Sequence, residues 1–258
     1  QGDCIYLRTP TGQHYLMDLG PIGRSGVPAI DRKVLPFLRA ESATNIRAAI
    51  ITHMHRDHYG GAVSLLQHTE VGAVYTCGER VRDPLARALD SLRGARPFVC
   101  RALKRGDTLH LDPEVTLYVL QPDARATEHT GPSLSRTMNS ASLAVRVVYR
   151  KTSLLLLGDV ERSEEESMLR AYGSFLRSDV VKVAHHGSAT SSSKAFVSAA
   201  APRFAVISVG EHNSFGHPAP EVVRRWWDAG ATILRTDRDG AILLASDGHQ
   251  VRRLDWHR

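Results

Sequence analysis

Four side chains able to bind a metal ion fall within six positions in Thr52-His53-Met54-His55-Arg56-Asp57-His58, directly after a β-branched run at 46–52. In extended backbone, residues two apart point the same way, so His53 and His55 can grip one ion. Asp57 and His58, where the chain turns toward a helix, can reach a second. Imidazole combined with carboxylate suits zinc, manganese or iron. Two distant segments add further groups. Leu154-Leu-Leu-Leu-Gly158-Asp159 is an apolar strand ending in a carboxylate, which either caps the helix that follows or bridges two ions. Val181-Lys-Val-Ala-His185-His186-Gly187-Ser188 is a second apolar strand, ending in two histidines. Strand-end placement that recurs three times gathers these groups at one sheet edge, where open α/β sheets bind ligands.

The elements that must position these groups alternate between short strands and helix-length segments. Residues 4–9 and 14–19 read as a hairpin around Pro10-Thr11-Gly12, 29–39 as a helix, and 46–52 as a strand, with a helix beginning at 61–66. Strands at 108–111 and 115–120 lead into a polar stretch, 121–138, long enough that a functional loop is expected. A hairpin over 142–149 and 152–157 turns at Arg150-Lys151. The helix 161–172 carries Glu161, Glu164, Glu165 and Glu166 in its first turns, the favoured sign at a helix N-terminus. A strand at 179–184, a helix from about Ser192, a strand at 204–209, a helix at 220–229 and strands at 232–236, 241–245 and 250–256 complete the pattern. It predicts an α/β chain of two sheets covered by helices. No linker is visible, so residues 1–258 read as a single domain.

The chain has 258 residues, 42% of them hydrophobic, enough to build a core without staples. Its longest apolar runs are strand-sized, far short of the ~20 residues that a membrane-spanning helix needs. The first residues do not read as a charged-then-apolar signal segment. A chain that opens on Gln1 rather than Met reads as a piece of something longer. Cys4, Cys77 and Cys100 are too few and scattered for a disulfide scaffold or a CxxC zinc site. They read as buried free thiols, with one Cys77–Cys100 bridge left open for an oxidising compartment. The net charge is +6, and the stretch 80–105 alone accounts for it, with Arg80, Arg82, Arg87, Arg93, Arg96, Arg101, Lys104 and Arg105 against Asp83 and Asp90. Such a localised excess suits a polyanion such as nucleic acid, or serves as a solubilising face.

Asp18 after a strand, the H-x-H-x-D-H string, Gly158-Asp159 and His185-His186-Gly187-Ser188, in that order, resemble the metallo-β-lactamase superfamily over nearly the whole chain. More narrowly, Gln1-Gly2-Asp3, Asn139-Ser140-Ala141-Ser142, the run 185–192, Ser208-Val209-Gly210 with Gly216-His217-Pro218, and Arg235-Thr236-Asp237 with Gly240-Ala241-Ile242 resemble the C-terminal domain of the ComEC family. That family forms the competence channel of bacterial DNA uptake. The resemblance implies an α+β, four-layer αββα sandwich with two divalent ions, manganese or zinc. It also implies a nuclease acting on the non-transported DNA strand, on the extracytoplasmic side of the cytoplasmic membrane, within a larger membrane-embedded protein. The ligands would be His53, His55, Asp57, His58, Asp159 and one of the histidine pair. His186 is preferred because Gly187-Ser188 follows it, as after the final ligand of several relatives; His185 is the alternative or a partner behind it. Superfamily members usually carry a histidine where this chain has Asn139, as the ComEC pattern does, and His129 fits that place less well by spacing.

Asp57 and Asp159 would do catalytic work on a bridging water, and His217 is either a proton donor or a capped turn histidine. Asn139, Ser188, Thr190 and Ser191 are candidates to meet phosphate, the last two through backbone N–H groups unless these simply cap the next helix. Arg93, Arg96, Lys104 and Arg105 would hold single- or double-stranded DNA through its phosphates, hence without sequence preference. Trp226-Trp227 reads as core packing. Rival readings are a small-ester or phosphocholine-type esterase on the same fold, and a DNA-binding module whose catalysis has lapsed.

Overall fold

A computed structural model describes residues 2–23, 25–79, 84–95, 98–123 and 138–255. Two sheets lie face to face. The first has the order Ile5–Arg8, His14–Met17, Ala48–Ile51, Ala73–Thr76, Val99–Ala102; its first pair is an antiparallel hairpin and the rest run parallel. The second runs Thr232–Arg235, Phe204–Ile207, Val180–Lys182, Thr152–Leu156, Ala144–Tyr149, Val115–Gln121, Thr108–Asp112. Its first four strands are parallel and the remainder antiparallel.

Successive strand residues face opposite ways, and here both faces are apolar, so each sheet is covered on both sides. Tyr15, Met17 and Ile50 of the first sheet meet Leu117, Val119, Val145 and Leu156 of the second in the central core. The intervening Leu16, Ala49 and Ile51 turn outward onto Ile30, Leu35 and Leu38 of the helix Ala29–Ala40 and Leu65 of the helix Ala62–His68. On the far side Leu155, Val181 and Ala205 are covered by Met168, Phe196 and Trp226, one from each of the helices Arg162–Tyr172, Lys194–Ala200 and Pro220–Asp228. These are the expected four αββα layers. Truncating a fully buried Phe196 or Trp226 to alanine would cost about 3–5 kcal/mol.

Some details depart from the sequence reading. The basic stretch contains a helix, Pro84–Ala95, whose Leu85, Leu89 and Leu92 pack on the first sheet's outer face; that helical spacing was legible but masked by the charge. The strand read at 179–184 is only Val180–Lys182, because the chain leaves it for a tight turn, Ala184–Gly187. The last two strands form a separate ribbon, Leu243–Ser246 with Val251–Leu254. All three cysteines are free, and Cys100 is exposed rather than buried, at the rim strand of its sheet. Trp226 is core, but Trp227 is 67% exposed. Residues 124–137 of the long polar stretch, His129 among them, lie outside the described residues.

Candidate metal centre

Three strand ends deliver the site. The chain leaves Ala48–Ile51, passes His53 and His55, and turns into the short helix Arg56–Tyr59 with Asp57 and His58. Thr152–Leu156 runs out into Gly158-Asp159, and Val180–Lys182 into His185-His186. A bond from Leu143 N–H to the Thr52 carbonyl, 2.8 Å, ties the two sheets together here. The turns are severe. Gly158 has φ +51°, and a Cβ on it would sit 2.3 Å from Ser142 Oγ, so no other residue fits. Asp18, His185 and His186 all adopt positive φ (57°, 48° and 53°) without being glycine, each at a cost of order 1 kcal/mol that the surrounding packing must offset. Glu161, not Asp159, caps the helix Arg162–Tyr172, in a capping box with Glu164, which leaves Asp159 free for the site.

The ligand atoms of His53, His55 and Asp159 lie within 4.8 Å of one another, and so do those of Asp57, His58 and His186. Asp159 stands between the groups: its Oδ2 is 3.8 Å from His53 Nε2, 3.4 Å from His58 Nε2 and 3.8 Å from His186 Nε2. Asp57 Oδ2 is 3.4 Å from His186 Nε2. The far nitrogens are tied back. His58 Nδ1 is 2.7 Å from Asp18 Oδ2, and Asp18 itself accepts from Thr52 N–H and Oγ1, both at 2.8 Å. His186 Nδ1 donates to the Ser208 carbonyl at 2.8 Å. Each anchored Nδ1 turns its Nε2 inward, the arrangement that orients a metal-binding imidazole. Among the described residues, His58 Nε2, His186 Nε2 and Asp159 Oδ1 are buried with no hydrogen-bond partner. Buried polar atoms without partners are rare and costly, and cations held by the two ligand groups would satisfy them, so the residues fit a metal.

Electrostatics agree. Burial opposes charge on His58, yet Asp159 and Asp18 hold its pKa well above the ordinary value. His186 is pushed up to about 9 by Asp3, Asp57 and Asp159 against the same burial. Burial should raise Asp57, but the close approach of His186 and the charge of His58 bring it down to about 2. Asp159 is held well below its usual value by the histidines around it, despite complete burial. His53 goes the other way: burial, reinforced by His58, depresses it and keeps it neutral. A carboxylate excess that draws protons onto its histidines is a pocket short of cations.

A sequence model of the metallo-beta-lactamase superfamily matches residues 1–212. The chain belongs to this superfamily. ComE operon protein 3 of Bacillus subtilis (strain 168) is 29% identical over 253 residues, covering 94% of this chain and 31% of that protein. Competence protein ComA of Neisseria gonorrhoeae is 31% identical over 256 residues, covering 98% of this chain and 32% of that protein. Both are ComEC family members, as the sequence motifs suggested. The chain spans about a third of the length of each. Among solved structures, Igni18, a metallo hydrolase from the archaeon Ignicoccus hospitalis, shares the fold with a TM-score of 0.56 at 12% identity, covering 98% of this chain and 95% of that one. The superfamily is one of metal-dependent hydrolases. Among the described residues no helix is long and apolar enough to cross a membrane.

Within this metallo-beta-lactamase frame, the remaining expected residues divide. His185 approaches Asp159 Oδ2 at 3.9 Å through Nε2 while its Nδ1 faces Glu161 Oε1 at 3.4 Å. It borders the first ligand group, whereas His186 belongs to the second. Asn139 is buried at the same side and donates to Glu161 Oε1 at 3.1 Å. His217 is at the rim, its ring 5.8 Å from that of His185, and burial followed by the nearby histidines lowers its pKa. Lys104 is exposed just past Val99–Ala102, at the same sheet edge as the metal residues because the intervening strands are parallel.

Three expectations need correcting. Arg105 is a clamp: its guanidinium donates to the Leu120 carbonyl (3.0 Å), Gln121 and Ser167 Oγ (2.7 Å) and pairs with Asp123, so it is not free for phosphate. The Ser191 N–H donates to the Ser188 carbonyl (3.1 Å) and the Thr190 N–H to Ser188 Oγ (3.3 Å), and the buried Ser191 hydroxyl, shared between the carbonyls of Ala184 and Ser188, holds the histidine turn. Beyond it, the N–H groups of Ser192 and Ser193 already donate to the Glu165 carboxylate, and Ser193 Oγ caps the next helix. That anion position is filled from within. Ser188 is buried and bonded to the exposed Thr190 at 3.0 Å. Arg96 and the Arg93 side chain lie outside the described residues. Sequence reasoning missed Asp3, Lys182 and Glu161 as site residues and treated Asp18 only as a family mark. A lysine in the middle of an apolar strand was the available signal for Lys182.

Proposed function

We propose that this chain is a two-metal phosphodiesterase that hydrolyses DNA without sequence preference and degrades the non-transported strand during competence, as part of a larger membrane protein and on its extracytoplasmic side. The observation that carries the reading is the pair of ligand groups sharing Asp159, with unpartnered imidazole and carboxylate atoms aimed between them, in a chain whose relatives are competence proteins. His53, His55 and a shared Asp159 would hold one ion, and Asp57, His58, His186 and the same Asp159 the other. Bound divalent manganese or zinc would supply an activated water and neutralise charge developing on phosphorus.

The chain's own residues do the rest. Asp57 is the least buried of the carboxylates, its side chain 35% exposed, so it can orient the attacking water and accept its proton. His217, kept neutral by burial and with its ring 5.8 Å from that of His185, would hydrogen-bond the departing oxygen. Lys104, at the same edge, offers a charge to a passing phosphate. The esterase alternative needs an aromatic cage for a quaternary amine. Among the described residues the non-histidine ring at this rim is Phe215, 70% exposed and stacked on His217, which favours the nuclease. Incubating the protein with end-labelled single- and double-stranded DNA, plus manganese, zinc or chelator, tests this. Metal-dependent cleavage that stops with chelator is expected; full cleavage in chelator, or hydrolysis of small esters alone, overturns it.

A further inference from the structure

Behind the second ligand group lies a third cluster of the same geometry: the ligand atoms of Asp3, Asp18 and His58, all buried, fall within 4.8 Å of one another. This cluster already holds a cation of the protein's own. Lys182, 3% exposed, extends its ammonium from the end of Val180–Lys182 into an ion pair with Asp3, itself 1% exposed. A buried lysine without a carboxylate partner would shed its proton; Asp3, with Asp159 and Asp18 nearby, keeps this one charged.

The pair touches the backs of the metal-facing groups. Asp3 Oδ1 is 3.4 Å from His186 Nδ1, and its Oδ2 is 4.0 Å from His58 Nδ1. Its backbone is locked on both sides, N–H to the Asp57 carbonyl (3.2 Å) and carbonyl to Gly20 N–H (2.7 Å). Gly2 passes so close to the Asp57 turn that a Cβ would lie 2.6 Å from the Asp57 carbonyl oxygen, and its own carbonyl accepts from Ser208 Oγ at 2.9 Å. Ser208 is the residue whose carbonyl receives His186 Nδ1. Apart from the Gly20 bond, these contacts reach Asp57, His58 or His186, or a residue that holds one of them.

We propose that Asp3 and Lys182 are positioning residues for the second metal position alone: the Lys182 ammonium takes the place of an ion in the rear cluster and, through Asp3, fixes His58, His186 and the Asp57 turn in their ligand geometry. This rests on the reading of Asp57, His58 and His186 as metal ligands.

The test is manganese titration by calorimetry on the wild type, Asp3→Asn, Lys182→Met, the double variant and His186→Ala, with melting curves without metal and anomalous scattering from manganese-soaked crystals. Each single variant leaves a buried charge without its partner and should melt earlier. The double variant removes both charges and should regain much of that loss. It should still bind manganese about 10–100-fold more weakly at the position of Asp57, His58 and His186, with the position of His53, His55 and Asp159 unchanged. A double variant that binds both ions as the wild type does, or weakens both equally, overturns the proposal. If His186→Ala itself leaves manganese uptake intact, the ligand assignment fails instead.

Discussion

Asp159 belongs to the first ligand group and stands 3.4 and 3.8 Å from the His58 and His186 imidazoles of the second, and little else joins the two. His58 and His186 are sealed from solvent, and each has its far nitrogen held, by Asp18 in one case and the Ser208 carbonyl in the other. The His53 and His55 pair is looser. His55 is half-buried, its Nδ1 lies 2.9 Å from His53 Nε2, and among the described residues His53 Nδ1 meets the hydroxyls of Thr52 (3.0 Å) and Ser142 (3.4 Å) rather than a carboxylate or carbonyl. Beside it stand Asn139, Glu161, His185 and His217, groups that face the rim. The contrast separates two jobs. A ligand whose orientation is set before binding loses little freedom when it binds, so the second group is built for affinity. On the proposed reading, fewer and less anchored ligands would leave positions for water and phosphate oxygens, so the first group would serve exchange with substrate.

The largest effect should come from the residue the groups share. Asp159→Ala should weaken manganese binding at both positions and lower DNA cleavage by roughly 10²–10³-fold or more, the scale on which loss of a charge-stabilising group acts. Circular dichroism should show the metal-free fold intact. Loss at one position only would mean that Asp159 does not bridge. Next, His186→Ala should remove the tight binding event while His55→Ala removes the weak one. Calorimetry showing the same surviving affinity in both would erase the distinction between the groups.

A smaller effect tests its cause. Asp18 touches His58 and not the ions, so Asp18→Asn should weaken the second position about 10–100-fold and leave the first alone. A fall at both would make Asp18 a general support of the site rather than an anchor for one imidazole.

How legible these groups were follows from the range of the interactions. His53, His55, Asp57 and His58 could be read because their spacing along one strand end already dictates which way each points. Asp159 and the histidine pair followed because strand ends in one sheet share an edge. Asp3 and Lys182 could not be read that way, since they meet only when the first residues are laid across the end of a strand in the opposite sheet. Charge misled for the same reason. Arg105 counted toward a basic patch, but its partner Ser167 is 62 positions away, and composition says nothing about partners. The helix Pro84–Ala95 failed differently: Leu85, Leu89 and Leu92 announce it, and the arginines between them drew the reading to the wrong face.

The finest test exchanges one neutral ligand candidate for another. Asn139 is 5% exposed; its Nδ2 donates to Glu161, and its Oδ1 is buried without a hydrogen-bond partner. An amide oxygen is a poor donor to a zinc-like ion, whereas imidazole is a good one. Asn139→His should therefore tighten the first position, by about tenfold, and slow its exchange, leaving the second unchanged. The gain has a kinetic consequence. An added protein ligand fills a position that a phosphate oxygen would otherwise take, so kcat for DNA should fall even as the metal binds more tightly. Zinc titration and cleavage rates at saturating zinc measure the two effects separately. Tighter binding with slower cleavage would mean that the openness of the first group is its function. Unchanged affinity would put Asn139 outside that coordination sphere and reduce its part to holding Glu161 against His185, and the asymmetry between the groups would then rest on their anchoring alone.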